Sequence, residues 1–344
     1  MTMKLTILAA VVAVTGFGAS VHTPARAADG TLVTPDNFNR AETDLIFAGN
    51  GKRQGIGKFL HYREPMSIEF PIVRPNRDTL YSLSVFDLDA GPVTVTLPDA
   101  GARFMSMQVI DEDHYTPEVV YGAGTHTYTR EEIGTRYVSL GVRILVDPDD
   151  PQDVEQVHSL QDAITVAQPG GPGRFEVPNW DQASQKKIRD ALLILAETLP
   201  DTKRTFGARD QVDQVRHLIG TAFAFGGNPE KDALYLNVTP SRNDEATVHT
   251  LAVKDVPVDG FWSISVYDAA GHFRENAFDA YALNSITAKK NPDGSIIIQF
   301  GGCDGKIPNC LPIVKGWNYM VRLYRPRAEI LNGGWSFPEA QPLN

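Results

Sequence analysis

Two stretches of this chain concentrate side chains that can do chemistry. In Arg74-Pro75-Asn76-Arg77-Asp78-Thr79-Leu80-Tyr81, two guanidinium groups, an amide, a carboxylate and a phenol crowd one strand entrance. Arginine grips a carboxylate or phosphate through paired N–H donors. Arg74, Asn76 and Arg77 are therefore candidate ligand-binding residues for a small polar or anionic molecule, and Arg77 and Tyr81 candidate catalytic ones. The plainer alternative is a turn in which Asp78 and Arg77 satisfy backbone groups and each other, since buried polar turns must be paired in any case. The second stretch is Asp111-Glu112-Asp113-His114-Tyr115, with Glu118 and His126 downstream. Acids and an imidazole at a strand end can run acid–base chemistry or hold a metal, and carboxylates so close would raise the pKa of His114. His114 is the third candidate catalytic residue. The competing reading is a solvated acidic turn. No His-x-His pair and no His-Glu-x-x-His occurs, so no metal ligands are assigned. No cofactor is predicted, and metal dependence stays open.

A third group is aromatic: Trp262, Tyr267, Phe273, Tyr281, Trp317, Tyr319, Tyr324 and Trp335 crowd the C-terminal third. Trp262 is the candidate stacking platform for a flat ligand, but core packing is the cheaper account of aromatics that alternate along strands. Cys303 and Cys310 sit in a loop rich in Gly and Pro, Gly301-Gly302-Cys303-Asp304-Gly305-Lys306-Ile307-Pro308-Asn309-Cys310. In an oxidising compartment this pair is expected to form a structural disulfide. A redox-active pair is the alternative, without the Cys-x-x-Cys spacing that usually marks one. The chain has no Gly-x-Ser-x-Gly elbow, phosphate loop or dinucleotide fingerprint.

The elements that must position these groups occur twice. Asp78-Thr79-Leu80-Tyr81 precedes Phe104-Met105-Ser106-Met107-Gln108-Val109-Ile110-Asp111. Asp232-Ala233-Leu234-Tyr235 precedes Phe261-Trp262-Ser263-Ile264-Ser265-Val266-Tyr267-Asp268. Each half then closes on a Val-Arg strand, Val142-Arg143-Ile144 and Val321-Arg322-Leu323. Such self-similarity predicts two related domains. Asp78, Tyr81 and Asp111 recur as Asp232, Tyr235 and Asp268, which argues for a shared structural duty. Asn76, Arg77 and Thr79 do not recur in kind, which makes them the better functional candidates.

Alternation with a period of two predicts strands at 68–70, 81–86 and 93–97, and later at 247–253, 261–267, 295–300 and 318–324. Helical spacing predicts helices over 36–50, 152–166, 181–196 and 210–224. The fold class expected is mostly β: two related β-sandwich or jelly-roll-like domains, residues 28–150 and 226–344, with a helical linking segment at 151–225.

Residues 1–27 read as a signal peptide: Lys4, an apolar run from Leu5 to Val14, and a small-x-small site at Ala25-Arg26-Ala27. The run is too short to span a bilayer, so a soluble periplasmic or secreted protein is expected. The formal charge of −10 becomes −12 when Lys4 and Arg26 leave with the leader. An acidic surface repels phosphate backbones and anionic membranes. The expected partner is a small-molecule ligand, with a second copy of the chain as a further one; nucleic acid and membrane insertion are not expected.

Three motifs carry a resemblance. Asn76-Arg77-Asp78-Thr79-Leu80-Tyr81-Ser82, then Asp259-Gly260-Phe261-Trp262-Ser263 with Val266-Tyr267-Asp268, then Arg322-Leu323-Tyr324-Arg325-Pro326 ending in Gly334-Trp335 and Pro338, resemble a bacterial exported family of tandem domains of unknown function. The resemblance covers nearly the whole chain after the leader and implies two β-sandwich or jelly-roll domains, with no established reaction. Cys310 is a departure, standing where many relatives carry Trp, which fits a local disulfide in place of an aromatic anchor. Two functions remain in view: an enzyme, hydrolase or lyase, on a small polar or anionic substrate near Arg77, Asn76, Tyr81 and His114, and a non-catalytic ligand-binding or assembly module of the cell envelope.

Overall fold

The computed structural model describes residues 30–69 and 73–343. The expected leader lies outside the described residues, as does Phe70. The fold is mostly β. In chain order the strands are β1 (Leu60–His61), β2 (Thr79–Asp87), β3 (Val93–Leu97), β4 (Met105–Asp111), β5 (Glu118–Tyr121), β6 (Gly124–Tyr128), β7 (Tyr137–Leu145) and β8 (Thr165–Ala167). The second half has β9 (Ala233–Val238), β10 (His249–Val253), β11 (Trp262–Tyr267), β12 (Ala282–Asn284), β13 (Ile296–Phe300), β14 (Cys310–Leu311), β15 (Asn318–Tyr324) and β16 (Gln341–Pro342).

The internal repeat is present in the sheet topology. One sheet runs β1-β2-β7-β4-β5 and its counterpart β9-β15-β11-β12, so β2-β7-β4-β5 and β9-β15-β11-β12 follow the same order. Each backs onto a second sheet, β6-β3-β8 in the first half and β14-β13-β10-β16 in the second. The cores follow from the period of two. Leu80, Met105, Met107, Val109, Leu140, Val142 and Ile144 point into the first sandwich and meet Val93, Val95 and Leu97 of β3. Trp262, Ile264, Val266, Tyr319, Val321 and Leu323 fill the second with Leu251, Ile298, Phe300 and Trp317. Full burial of side chains of this size contributes about 1.5–3 kcal/mol each.

The helices fall on Phe38–Gln54, Pro151–Asp162, Gln182–Ala196 and Gln214–Phe223, with single turns at Arg130–Ile133 and Ala328–Leu331. Three of the long ones are stopped at their N-termini by aspartate caps at Asp150, Asp181 and Asp213. The expected helix over 152–166 ends at Asp162, and Thr165–Ala167 turns back to pair with β3. Val157 of that helix lies in the first core. Part of the expected linking segment is thus built into the first sandwich. The other two helices pack on Phe38–Gln54 through Phe38, Ala41, Leu192 and Ile219. The strand expected at 68–70 is a turn at Ile68 and Glu69, because Ile68 packs outward onto Tyr267 and Phe273 rather than pairing. No helix among the described residues is long and apolar enough to cross a membrane.

Cys303 and Cys310 form a disulfide, with Cα atoms 5.6 Å apart. Cys310 belongs to β14, which pairs parallel to β13 at the edge of its sheet. We expect the double variant Cys303→Ser/Cys310→Ser to lose about 2–3 kcal/mol, the amount set by closing so short a loop. Urea unfolding with and without reductant measures it; a loss well beyond this would mean that the bond, rather than the β13 pairing, holds the edge.

Candidate functional site

Each of the two matching sheets has one face committed to its own core. The other face carries polar residues, and the two polar faces meet at the seam between the domains. The row of residues crossing each face is the same. In the first domain, Tyr81 pairs with Arg143, Arg143 with Ser106, and Ser106 with Tyr121. In the second, Tyr235 pairs with Arg322, Arg322 with Ser263, and Ser263 with Asn284.

The rows engage each other's domain reciprocally. Arg143 donates through Nη2 to the carbonyl of Gly226 (3.0 Å), just before β9, and through Nη1 to Gln108 (2.8 Å). Arg322 donates through Nη2 to the carbonyl of Arg74 (2.9 Å), just before β2, and through Nη1 to Ser265 (2.9 Å), the residue that matches Gln108. Tyr121 donates to Asp232 (3.1 Å), and its counterpart Asn284 donates to Asp78 (3.3 Å). Asn76 donates to the Tyr81 hydroxyl (3.0 Å), and Asn228 to the Tyr235 hydroxyl (3.1 Å). Arg74 and Gly226 hold matching positions and both have positive φ, 52° and 76°. This is the pattern of a two-fold interface, each patch meeting its own copy, inside one chain.

The two arginines differ in surroundings. Arg322 is buried; it also meets the hydroxyl of Tyr267 (2.8 Å), and the Asp78 carboxylate lies near. Burial opposes its charge, but Tyr267, Tyr324 and Asp78 outweigh that and raise its pKa. Asp78 itself is pushed up by burial against the pull of Arg322. Arg143 is half-buried, as are Tyr81 and Tyr235. It lies 5.5 Å over the Tyr81 ring. Burial opposes its charge too, and what outweighs it are the phenols of Tyr81, Tyr235 and Tyr324. Phenols are uncharged at neutral pH, and burial holds Tyr324 well above the ordinary range. Arg143 sits on the central strand of its sheet, on the face turned away from the core. Three neighbours on this side are smaller than their counterparts: Gly141 for Met320, Ile110 for Tyr267, Gly226 for Arg74.

Of the residues expected from sequence, Asn76, Tyr81 and Arg74 meet here. Asn76 is a hub: its amide reaches Thr79, Tyr81 and, across the seam, Tyr324 (3.5 Å), while its carbonyl accepts from the N–H of Asp78. Arg74 bonds to Asn318 across the seam (3.3 Å), and burial lowers its pKa. Arg77 turns to the rim, bonded to the carbonyl of Met66 and 5.2 Å over the Tyr281 ring. Trp262 is not a platform: it points into the second core against Phe337, as the alternation of β11 requires. Arg143 and Arg322 were recognisable only as repeated Val-Arg strands; their value lies in cross-strand register, which the sequence does not display.

His114 does not converge with Arg77 and Tyr81. It is buried between Phe225 and His217, with ring centroids 4.2 and 5.6 Å away. Its Nε2 accepts from the Gly226 N–H (2.9 Å), which places the proton on Nδ1, 2.8 Å from the Thr221 hydroxyl. Burial first, and His217 second, hold its pKa well below the ordinary value, opposite to the rise expected from nearby acids. Those acids are themselves tied. Asp111 accepts from the N–H groups of Asp113 and Tyr115, as Asp268 does from those of Ala270 and His272. Arg40 and Arg209 pair with Asp113. The acidic turn is therefore a buried structural turn rather than a solvated one. His114 holds the positive-φ position that Gly271 fills in the repeat. No group of three or more His, Cys, Asp or Glu among the described residues is placed to hold a metal.

This turn sets a pH dependence. Burial pushes Asp111 up to about 7 against its two backbone bonds. Burial, aided by Glu112 and opposed by the Trp180 N–H, pushes Asp44 up to about 7. Both folded pKa values exceed the unfolded one near 4. Their contribution to stability is therefore full below about pH 4 and lost as pH rises through 7. We expect the melting temperature to fall between pH 5 and pH 8, and Asp44→Asn to flatten that slope. A slope unchanged in the variant would count against this assignment.

Comparison with known proteins adds families without a reaction. The family described as "Protein of unknown function (DUF1254)" matches residues 56–168, and "Protein of unknown function (DUF1214)" matches residues 237–328. No curated protein matches the chain. The VPA0106 protein of Vibrio parahaemolyticus has a similar crystal structure, with a TM-score of 0.72 at 17% identity, over 90% of this chain and 98% of that one. A putative uncharacterized protein from Burkholderia cenocepacia is similar at a TM-score of 0.52 and 13% identity, over 90% of this chain and 88% of that one. At these identities the likeness concerns the fold. The first match takes in β1 to β8 and the second β10 to β15 with the last two residues of β9, so the chain carries matches to two families of unknown function in tandem, on domains joined along their polar sheet faces.

Proposed function

We propose that this protein recognises a small organic anion at the seam between its two domains, with Arg143 as the group that grips it. The observation that carries the reading is the unequal pair of arginines. Arg322 has the carboxylate of Asp78 beside it, while Arg143, in the same register position, has only neutral phenols and smaller neighbours. Asp232, the counterpart of Asp78, is turned toward Tyr121, Lys231 and Arg325 instead. A guanidinium removed from bulk water without a counter-charge is costly, and an anionic ligand would supply the missing charge. Tyr81, Tyr235 and Asn76 would orient it. The reading also takes residues 1–27 as a leader, so the protein works in the periplasm or outside the cell, where the Cys303–Cys310 bond is stable.

A second reading, an enzyme on the same substrate class, rests on Tyr81. Its hydroxyl accepts from Asn76 and its ring lies under Arg143, an arrangement able to hold or pass a proton. His114 is not assigned a catalytic role in either reading.

The test is thermal unfolding with increasing acetate, benzoate or inorganic phosphate. Stabilisation by the bound anion reaches about 2.7 kcal/mol at a hundred times its dissociation constant. The wild type should respond to at least one of them, and Arg143→Met should not. An equal response in the variant would remove Arg143 from the site; a response to phosphate alone would make the ligand a phosphate. No response in the wild type would sink the anion reading.

A further inference from the structure

At one end of the seam the domains leave an open cleft of about 600 Å³, within the size range of small-molecule sites, which favour domain interfaces. Its floor is aromatic. Phe104 packs edge-on against Phe261 (5.0 Å) and Tyr121 (5.9 Å), and Phe261 stacks on Tyr324 (4.2 Å) behind it. The floor depends on Gly260: a Cβ there would stand 2.7 Å from the Tyr324 carbonyl and 3.1 Å from the Phe104 ring.

The walls carry opposite charges. From the second domain comes Arg325, exposed and 4.7 Å over the Tyr121 ring. Its backbone is held at φ 53° by bonds from its N–H to the Asp232 carbonyl and from the Asp259 N–H to its own carbonyl. No carboxylate among the described residues is within ion-pair distance of it, since Asp259 pairs with Arg327. From the first domain come Asp147 and Asp150, neither in an ion pair among the described residues; the nearby Asp153 is taken by Arg103. A guanidinium and two carboxylates outside any ion pair thus line one cleft across an apolar floor; Asp147 and Asp150 each also accept one backbone N–H, from Asp149 and Gln152, and Asp232 acts on Arg325 from beyond ion-pair distance. A purely anionic ligand would leave the acids facing it, and a purely cationic one would face Arg325.

We propose that this cleft binds a small zwitterion with an apolar body. Its carboxylate lies on Arg325, its ammonium against Asp147 and Asp150, and its body on Phe104, which Phe261 backs from the core. The site is separate from the anion grip at Arg143 and does not depend on it. Calorimetric titration with three probes tests it: L-phenylalanine carries both charges, phenylacetate only the carboxylate, and 2-phenylethylamine only the ammonium. L-phenylalanine should bind about tenfold or more tighter than either single-ended probe, about 1.4 kcal/mol per charge. Arg325→Gln should abolish the advantage conferred by the carboxylate. Asp147→Asn/Asp150→Asn should abolish that of the ammonium, while Asn at 150 still caps the following helix. Circular dichroism melting of each variant confirms that it folds. Equal binding of the three probes, no binding of L-phenylalanine up to its solubility limit, or an unchanged affinity in folded Arg325→Gln would each overturn the proposal.

Discussion

The seam is organised by two guanidinium-to-carbonyl bonds, Arg143 to Gly226 and Arg322 to Arg74. Each arginine rises from the central strand of one domain and holds the segment that leads into the other. Sandwich domains joined in tandem have no intrinsic reason to present their polar faces to each other, since apolar cores alone would leave the pair free to turn. Donors fixed on a central strand and acceptors fixed on an incoming segment specify one arrangement. Hydrogen bonds to charged groups contribute about 1.5–3 kcal/mol, and a second reciprocal pair, Tyr121 to Asp232 and Asn284 to Asp78, also crosses the seam. Phe104, Phe261 and Tyr324 exclude water at one end, and Tyr267, Phe273 and Met320 at the other.

A duplicated clasp is also a control within the molecule. Whatever a guanidinium in this position needs is visible on the Arg322 side: two backbone carbonyls, a serine, a phenol and a carboxylate. The Arg143 side keeps one backbone carbonyl, a side-chain oxygen and the phenols of Tyr81 and its neighbours, and lacks the second carbonyl and the carboxylate. Drift in sequence would be expected to lose such partners together with the arginine. Here the arginine stays, its carboxylate neighbour is gone, and the neighbours that changed are the smaller ones. The same comparison removes His114 from the chemistry. Its counterpart Gly271 takes the same backbone shape without a side chain, so the turn does not need an imidazole; the imidazole instead holds the N–H of Gly226, whose carbonyl Arg143 holds.

Much of the fold was legible because it rests on local pattern. The alternation in Tyr81–Phe86 and Val93–Leu97 assigns faces directly, and Asp181 announces its helix, while the helix expected from 210 starts only after its cap at Asp213. The repeat carried the domain count. The helix over 152–166 was overextended because Ile164 continues its apolar spacing, although its side chain serves the first core beside β3. The site was half legible. Asn76 and Tyr81 stood out by type, and Asn76 by its absence from the aligned repeat. Yet its partner Asn228 was hidden because two extra residues separate it from Tyr235. Arg143 and Arg322 carry no local signal: an arginine between two apolar residues reads as an outward surface residue, and only the facing sheet makes it interior. His114 misled for the opposite reason, since a run of acids reads as solvated until the Phe38–Gln54 and Gln214–Phe223 helices cover it.

Burying arginines is a poor way to gain stability, because an apolar seam of similar shape would avoid the desolvation cost. Their presence therefore has to be explained by position or by binding, and under the reading proposed above the two copies divide these duties. Arg322, enclosed and neutralised, fixes how the domains meet. Arg143 shares that duty through Gly226, but it is only half-buried and lies beside the phenols of Tyr81 and Tyr235. Because the residue proposed to grip an anion also clasps the second domain, a ligand held by it would act on the bond that positions the domains. Occupancy of the seam and its geometry are linked through one side chain.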